Sequence, residues 1–365
     1  MSLSFDLVPG APVTSPEGIA RVLAGDPGFG VRFSDHMALA TWTEGDGWHD
    51  DRLTGYAPFQ VDPADAVLHY AQEIFEGLKA YRHADGSVWL FRADANARRF
   101  VRSAERLDLP VLPEEDFLRA VTQVVAADAA WVPSAPEQSL YIRPFMFAAE
   151  SFLGVRSAKK VQFAVIAGPA GAYFESGLAP VDIWITTNYS RAGSGGTGAA
   201  KCGGNYASSI LAGQEAHAHG CGQVLFTDAA THEWVEELGG MNVMFVTRER
   251  ELVTPPLSGT ILDGVTRSSI LALAPSFGLK VEERDISLTE VLAGVESGSI
   301  TEALACGTAA VVTPIGAFKH ATESGIAEAK LKQPFGEVTA AIRARLVAIQ
   351  WGQTADPFGW TTRVA

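Results

Sequence analysis

Strand-like segments joined by tight turns constrain this chain more than any other feature. GLKAYRH and SVWLFR flank Ala84-Asp85-Gly86 and read as a hairpin. SLYIRPFMFAA (139–149) and VQFAVIA (161–167) read as strands, VDIWITT as another, and residues 223–254 as further hairpins. Helical patterns interrupt them only at intervals. One is predicted from Asp62-Pro63, with Asp as cap and Pro in the first turn. Its apolar face would be Val67, Tyr70, Ala71, Ile74, Phe75 and Leu78. Others are predicted over about 94–107 and 114–131, behind Asn205 as a cap, and from Gly264-Val265-Thr266. The pattern is mixed α and β, without the strict strand–helix alternation of a doubly wound sheet.

A chain of 365 residues suggests about two domains. Residues 168–180 (GPAGAYFESGLAP) combine glycines and prolines between two strand-like runs and read as a linker. The expected division is 1–167, the linker, and 181–365. Three cysteines are too few for a disulfide framework, and no CxxC occurs, which points to a reducing, cytoplasmic setting. The N-terminus lacks the pattern of a signal peptide, and no apolar run is long enough to cross a membrane. A net charge of −14 opposes binding to nucleic acid or to acidic membranes. A dissolved small molecule is the expected partner.

GSGGTG (Gly193 to Gly198) matches a dinucleotide-binding fingerprint, with a strand before it, a helix after it and Glu215 about 20 residues on. In the true motif the helix begins within the glycines, so that its N-terminus meets the pyrophosphate. Here Lys201, Gly203 and Gly204 intervene, and the helix is expected no earlier than Asn205. A plain flexible loop is the simpler alternative. Lys201 offers a third: a lysine amine held among small residues can condense with a bound aldehyde, with space above the backbone for a flat ring. His217, His219 and the incomplete HEWVE motif read as surface features, and Cys306 as a core thiol. No metal site is expected.

Eight separated stretches share their order with one family: LHYAQEIFEGLKAY (68–81), FRADANARRF (91–100), YIRP (141–144), GAYF (171–174), GGTGAAKCGGNYASSILA (195–212), EELGGMN (236–242), LVTPPLSGTILDGVTRSSI (252–270) and ITEALACGTAAVVTP (300–314). On these the chain resembles the branched-chain amino-acid aminotransferases, fold-type-IV enzymes that use pyridoxal 5'-phosphate (PLP). The resemblance implies an α+β fold with an α/β N-terminal domain and a pseudo-barrel C-terminal domain. It also implies a homodimer in which residues near Tyr70 reach the neighbouring subunit's site. The reaction it implies moves an amino group from leucine, isoleucine or valine to 2-oxoglutarate. Within the fold, D-amino-acid aminotransferase and aminodeoxychorismate lyase are the alternatives; from another class, a dinucleotide-binding dehydrogenase.

By the same resemblance, Lys201 is the catalytic lysine that carries the cofactor. Arg99 binds the cofactor phosphate, together with Val265, Thr266 and Thr308. Glu237 partners the pyridine nitrogen and Tyr206 the ring hydroxyl. Phe75, Tyr70, Tyr141, Tyr173, Arg143 and the Thr308-Ala309 turn form the substrate pocket. The chemistry agrees: a phosphate dianion suits a forked guanidinium and a helix N-terminus. Some relatives carry CxxC after the G-T-A turn. Here the run is Gly307-Thr308-Ala309-Ala310-Val311-Val312-Thr313, so no thiol switch is expected. Ala170 stands where other members have a bulky aromatic.

Overall fold

The computed structural model describes residues 2–171 and 179–365. It divides into two compact units, Met1–Glu175 with Ala200–Gly203 and Ala348–Ala365, and Ser176–Ala199 with Gly204–Val347.

The first unit is an antiparallel sheet. Its order is Thr361–Arg363, Val88–Phe91, Leu78–Arg82, Ser139–Ala148, Lys160–Ala170, His36–Thr43 and Gly47–Gly55. The short strand Glu73–Phe75 also pairs with Ser139–Ala148. The hairpin read around residues 84–86 is present: Ala80 faces Leu90 and Arg82 faces Val88, and Gly86 turns the chain at φ 85°. The helices Ala93–Arg106 and Glu114–Ala127 supply Phe100, Phe117, Val121 and Val124 to a core shared with Phe163, Ile142 and Leu90 from the strands.

The helix expected from Asp62 through Leu78 is overturned. Only Ala66–Tyr70 is helical, with Asp65 at its N-cap, and Ala71 ends it in the left-handed region at φ 49°. The apolar residues that completed the helical pattern serve strands instead. Ile74 is fully buried opposite Met146, and Leu78 lies in the hairpin. A run with aliphatic residues at both spacings carries both periods, and sheet pairing decided between them.

The second unit is a mixed sheet of order Val235–Leu238, Gln223–Thr227, Val181–Ile185, Val311–Thr322, Ile300–Gly307, Asn242–Thr247, Glu251–Thr254 and Lys280–Glu283. Gly325–Lys330 lies beside Val311–Thr322. Val181–Ile185 runs parallel to both its neighbours, whereas Asn242–Thr247 and Glu251–Thr254 form a hairpin. The helix Gly203–Ala218 begins two residues before Asn205, so Asn205 does not cap it. Its side chain lies in the first turn and exchanges hydrogen bonds with Thr197, accepting from Thr197 Oγ1 and donating to Thr197 O, each at 2.8 Å.

The division at a single linker also differs. Residues 168–170 complete the strand Lys160–Ala170, and residues 172–178 of the expected linker lie outside the described residues. Ala200–Gly203 and Ala348–Ala365 belong with the first unit because each is hydrogen-bonded into it: Lys201 to Phe75 and Ser103, and Thr361–Arg363 to Val88–Phe91.

Candidate active site

Alternation along Ser139–Ala148 sets one part of the site. Leu140, Ile142, Pro144, Met146 and Ala148 are buried, while Tyr141, Arg143, Phe145 and Phe147 share the half-buried face. On that face the Arg143 guanidinium lies 4.7 Å from the Phe75 ring centre and 5.4 Å from that of Tyr141. Arg143 Nη2 donates to the Tyr141 hydroxyl at 3.1 Å. Its Nε is buried, with no hydrogen-bond partner among the described residues. A cavity lined by Arg32, Phe33, Tyr141, Arg143 and Ile166 opens here, with no carboxylate in its wall among the described residues. An unmatched buried N–H beside such a cavity suits an anionic ligand group. Gly77 is needed on this face, because a Cβ there would collide with the Tyr141 hydroxyl.

Lys201 lies in the same unit. Its N–H donates to Ser103 Oγ at 3.0 Å and its C=O accepts from Phe75 N–H at 3.0 Å. Its Nζ sits 4.6 Å from the centre of the Phe75 ring, so Phe75 meets both Lys201 and Arg143. Arg99, on the helix Ala93–Arg106, is buried and forks onto Glu76, with Nε to Oε1 at 2.7 Å and Nη2 to Oε2 at 2.8 Å. Asn96 Nδ2 and the Gly77 N–H also donate to Glu76. Burial pushes the Glu76 carboxyl up, but Arg99, Lys201 and Asn96 outweigh it and leave Glu76 below the usual glutamate range. Neighbouring Arg98 is half exposed and paired with Asp94 at 2.6 Å.

In the second unit, Glu237 is buried on Val235–Leu238. It pairs with Arg191 and accepts from Leu262 N–H at 2.9 Å and from Asn242 Nδ2 at 3.4 Å. Arg191 also donates to Gly198 O at 3.0 Å and Thr260 O at 2.7 Å. The helix Val265–Leu273 starts after Gly264 with no side-chain cap, and Val265 and Thr266 head it. Gly264 cannot carry a Cβ, because the Asn242 side chain fills that space. The Tyr206 ring stands against Gly240. Thr308 and Ala309 lie half-buried in the turn between Ile300–Gly307 and Val311–Thr322, and Val311 leaves that turn at φ 60°.

The structure thus brings together Lys201, Phe75, Tyr141 and Arg143, and sets Arg99 on Glu76. Tyr70 lies apart, 40% exposed, with its hydroxyl on the Leu153 carbonyl. Tyr173 lies outside the described residues. Sequence reading missed Glu76, Ser103, Asn242 and Arg191. Glu76 stood inside a matched stretch, EGLKAY, without a role, and Arg191 was a lone cation beside the glycine loop. That loop does not match a dinucleotide site, since the helix starts at Gly203, five residues after Gly198. Gly198 is required for packing, because a Cβ would overlap the Thr260 backbone. His217 is exposed as expected, but His219 is half-buried and stacks on Trp184 with ring centres 4.0 Å apart. Cys306 is a core thiol, pushed up to about 12 by burial. Among the described residues, no three His, Cys, Asp or Glu side chains could hold a metal. Among the same residues, no helix is long and apolar enough to cross a membrane.

The donor set fits PLP. It needs an amine for its aldehyde, a cradle for its phosphate and an acceptor for its ring N–H. Taken unit by unit, the first has a lysine amine at Lys201, and the second has an uncapped helix N-terminus at Val265–Leu273 and a buried carboxylate at Glu237, the kinds of group that these needs call for.

The family model Amino-transferase class IV matches residues 73–318. A branched-chain-amino-acid aminotransferase of Mycobacterium tuberculosis (strain CDC 1551 / Oshkosh) is 52% identical over 344 residues, 93% of this chain and 92% of that one. Among solved structures, a branched-chain aminotransferase from Thermoproteus uzoniensis with norvaline has a TM-score of 0.74 at 27% identity, covering 90% of this chain and 100% of that one. A branched-chain amino acid aminotransferase from Escherichia coli has a TM-score of 0.69 at 26% identity, covering 90% of this chain and 99% of that one.

Proposed function

This chain belongs to the class IV aminotransferases, among the branched-chain-amino-acid aminotransferases of fold type IV, and from that premise we propose what it does and with which residues. It transfers the amino group of L-leucine, L-isoleucine or L-valine reversibly to 2-oxoglutarate, giving the 2-oxo acid and L-glutamate, with PLP as cofactor. The observation that carries the reading is the grouping of Lys201, Phe75, Tyr141 and Arg143: an amine and a guanidinium with separate tasks on a shared aromatic wall.

When bound, PLP draws electrons from the bonds of the amino acid's α-carbon. Lys201 would hold the cofactor, and its Nζ, once the substrate's amino group has displaced it, would be the base that takes up and returns the α-carbon proton. The Phe75 ring excludes water around that amine. Glu237, fixed by Arg191, Asn242 and the Leu262 N–H, accepts the pyridine N–H. Arg99 and the amides of Val265 and Thr266, with Thr308, hold the phosphate, and Tyr206 orients the ring hydroxyl. The aromatic faces of Phe75, Tyr141 and Tyr173, with Tyr70 reaching across the dimer from the neighbouring subunit, accept a branched aliphatic side chain. Arg143, through its buried Nε and Nη2, takes the second carboxylate of glutamate. The Thr308-Ala309 turn receives the α-carboxylate. In this reading the N-terminal domain carries the lysine and Arg143, and the C-terminal pseudo-barrel domain carries Glu237. The enzyme works in the cytoplasm, in keeping with three free thiols, and as a homodimer.

Borohydride reduction of the yellow protein followed by peptide mapping is the test. The pyridoxyl label is expected on Lys201, and a label on Lys79 or elsewhere sinks the assignment. Leucine with 2-oxoglutarate should yield glutamate.

A further inference from the structure

Hydrogen bonds from two elements hold the main chain around Lys201. The Lys201 N–H donates to Ser103 Oγ, its C=O accepts from Phe75 N–H, and the Gly203 N–H donates to Glu73 Oε1. Glu73 and Phe75 are the two ends of one three-residue strand, which is itself paired to Ser139–Ala148. That strand therefore grips the Lys201–Gly203 step twice, once through its backbone and once through a carboxylate. Ser103 is fully buried on the helix Ala93–Arg106 and supplies the third point from a different element.

Gly203 bears the mark of this grip. A Cβ at Gly203 would fall on Glu73 Oε1, whereas a Cβ at Gly204 would meet nothing within 4 Å. Of the two glycines in KCGGN, only the first is packed against the carboxylate, which a Cβ there would push out of its hydrogen bond. Burial pushes the Glu73 carboxyl up, against the Gly203 N–H and the Arg143 charge. The half-buried carboxylate accepts a hydrogen bond from the Gly203 N–H, which offsets part of that cost.

We propose that Glu73, together with Ser103, is a positioning residue for Lys201, fixing the backbone from which Nζ reaches the cofactor. The inference rests on Lys201 being the cofactor lysine. Catalytic geometry is unforgiving: a displacement of about 1 Å costs about a hundredfold in rate. Both residues act through the backbone of the Lys201–Gly203 segment and need not touch substrate.

The test compares Glu73→Ala, Glu73→Gln, Ser103→Ala, Gly203→Ala and Gly204→Ala. Its readouts are the rate of PLP uptake by the apoprotein, the pH midpoint of the bound cofactor's absorbance, and kcat against KM. For Glu73→Ala, uptake and kcat should each fall about ten- to a hundredfold, with KM for leucine within about twofold and a displaced midpoint. Glu73→Gln, whose amide oxygen accepts the same N–H, should recover most of that loss. Ser103→Ala and Gly203→Ala should follow Glu73→Ala, while Gly204→Ala stays near wild type. If Glu73→Gln is as poor as Glu73→Ala, the charge acting on Arg143 is what matters and the proposal falls. It also falls if Glu73→Ala leaves uptake and midpoint unchanged. Borohydride labelling of the wild type separates the two layers: a label away from Lys201 removes the premise, whereas a label on Lys201 with an indifferent Glu73 removes only this inference.

Discussion

Taking the guanidinium from Arg99 would leave the buried Glu76 carboxylate with the Asn96 amide and the Gly77 N–H but without its forked cation. Breaking a buried pair on one side costs about 3–5 kcal/mol. Arg99→Met should therefore weaken the apoprotein by about that amount, besides loosening PLP about ten- to a hundredfold. The pH dependence gives the sign. In the wild type, Glu76 sits below its unfolded value, so its contribution is present above about pH 4.3 and is lost as pH falls through the lower folded value. Without Arg99, burial dominates and favours the neutral acid, so the deficit should shrink between pH 8 and pH 5. Urea unfolding of both apoproteins checks this, and a deficit independent of pH would mean that the charge of Lys201 is enough to keep Glu76 ionised. Arg143→Met keeps bulk and removes charge. The efficiency for 2-oxoglutarate should fall by about 2–4 kcal/mol of transition-state stabilisation, with leucine's half-reaction changing much less in single turnover. Equal losses for both substrates would make Arg143 a wall of the pocket or a partner of the shared α-carboxylate.

Between Ala66–Tyr70 and Glu73–Phe75 the chain changes from helix to strand through Ala71, exposed and left-handed at φ 49°. An L-residue there costs about 1–2 kcal/mol that glycine avoids, set against the greater freedom of glycine when unfolded. Ala71→Gly should raise stability by up to about 1 kcal/mol, read as a higher urea midpoint at unchanged slope. The same junction shows what the sequence could and could not tell. The Leu78–Phe91 hairpin was legible because its turn residues are local, and Ser139–Ala148 because it alternates strictly. Glu73–Phe75 was not, because its strand state depends on Phe145, Met146 and Phe147 about seventy residues on. In the site, Lys201 stood out as a long cation among small residues. The groups that hold it did not, since Ser103 and Glu73 lie 98 and 130 positions from the amides they accept. Arg191 and Glu237 meet across 46 residues for the same reason: only the fold pairs them.

Across the whole molecule, the strand Thr361–Arg363 closes one edge of the first unit's sheet against Val88–Phe91. The flanking bonds Val88 N–H to Ala365 O at 2.8 Å and Arg92 N–H to Trp360 O at 2.7 Å extend that seam. Deleting residues 361–365 strips several backbone hydrogen bonds at about 1 kcal/mol each. The first unit should then unfold about 2–4 kcal/mol more easily, seen as a urea transition that moves ahead of the second unit's; an unmoved transition would show the seam to be ornamental. The chain also returns to that unit earlier, at Ala200–Gly203. A ribosome makes this protein from one end, and domains generally fold as they emerge. The first unit must wait with its lysine segment missing until residue 203 is made, and with its edge strand missing until residues 361–363 are made. Through most of synthesis, the edge at Val88–Phe91 is an open template for any passing strand, so the newborn chain has more need of a chaperone than the finished one.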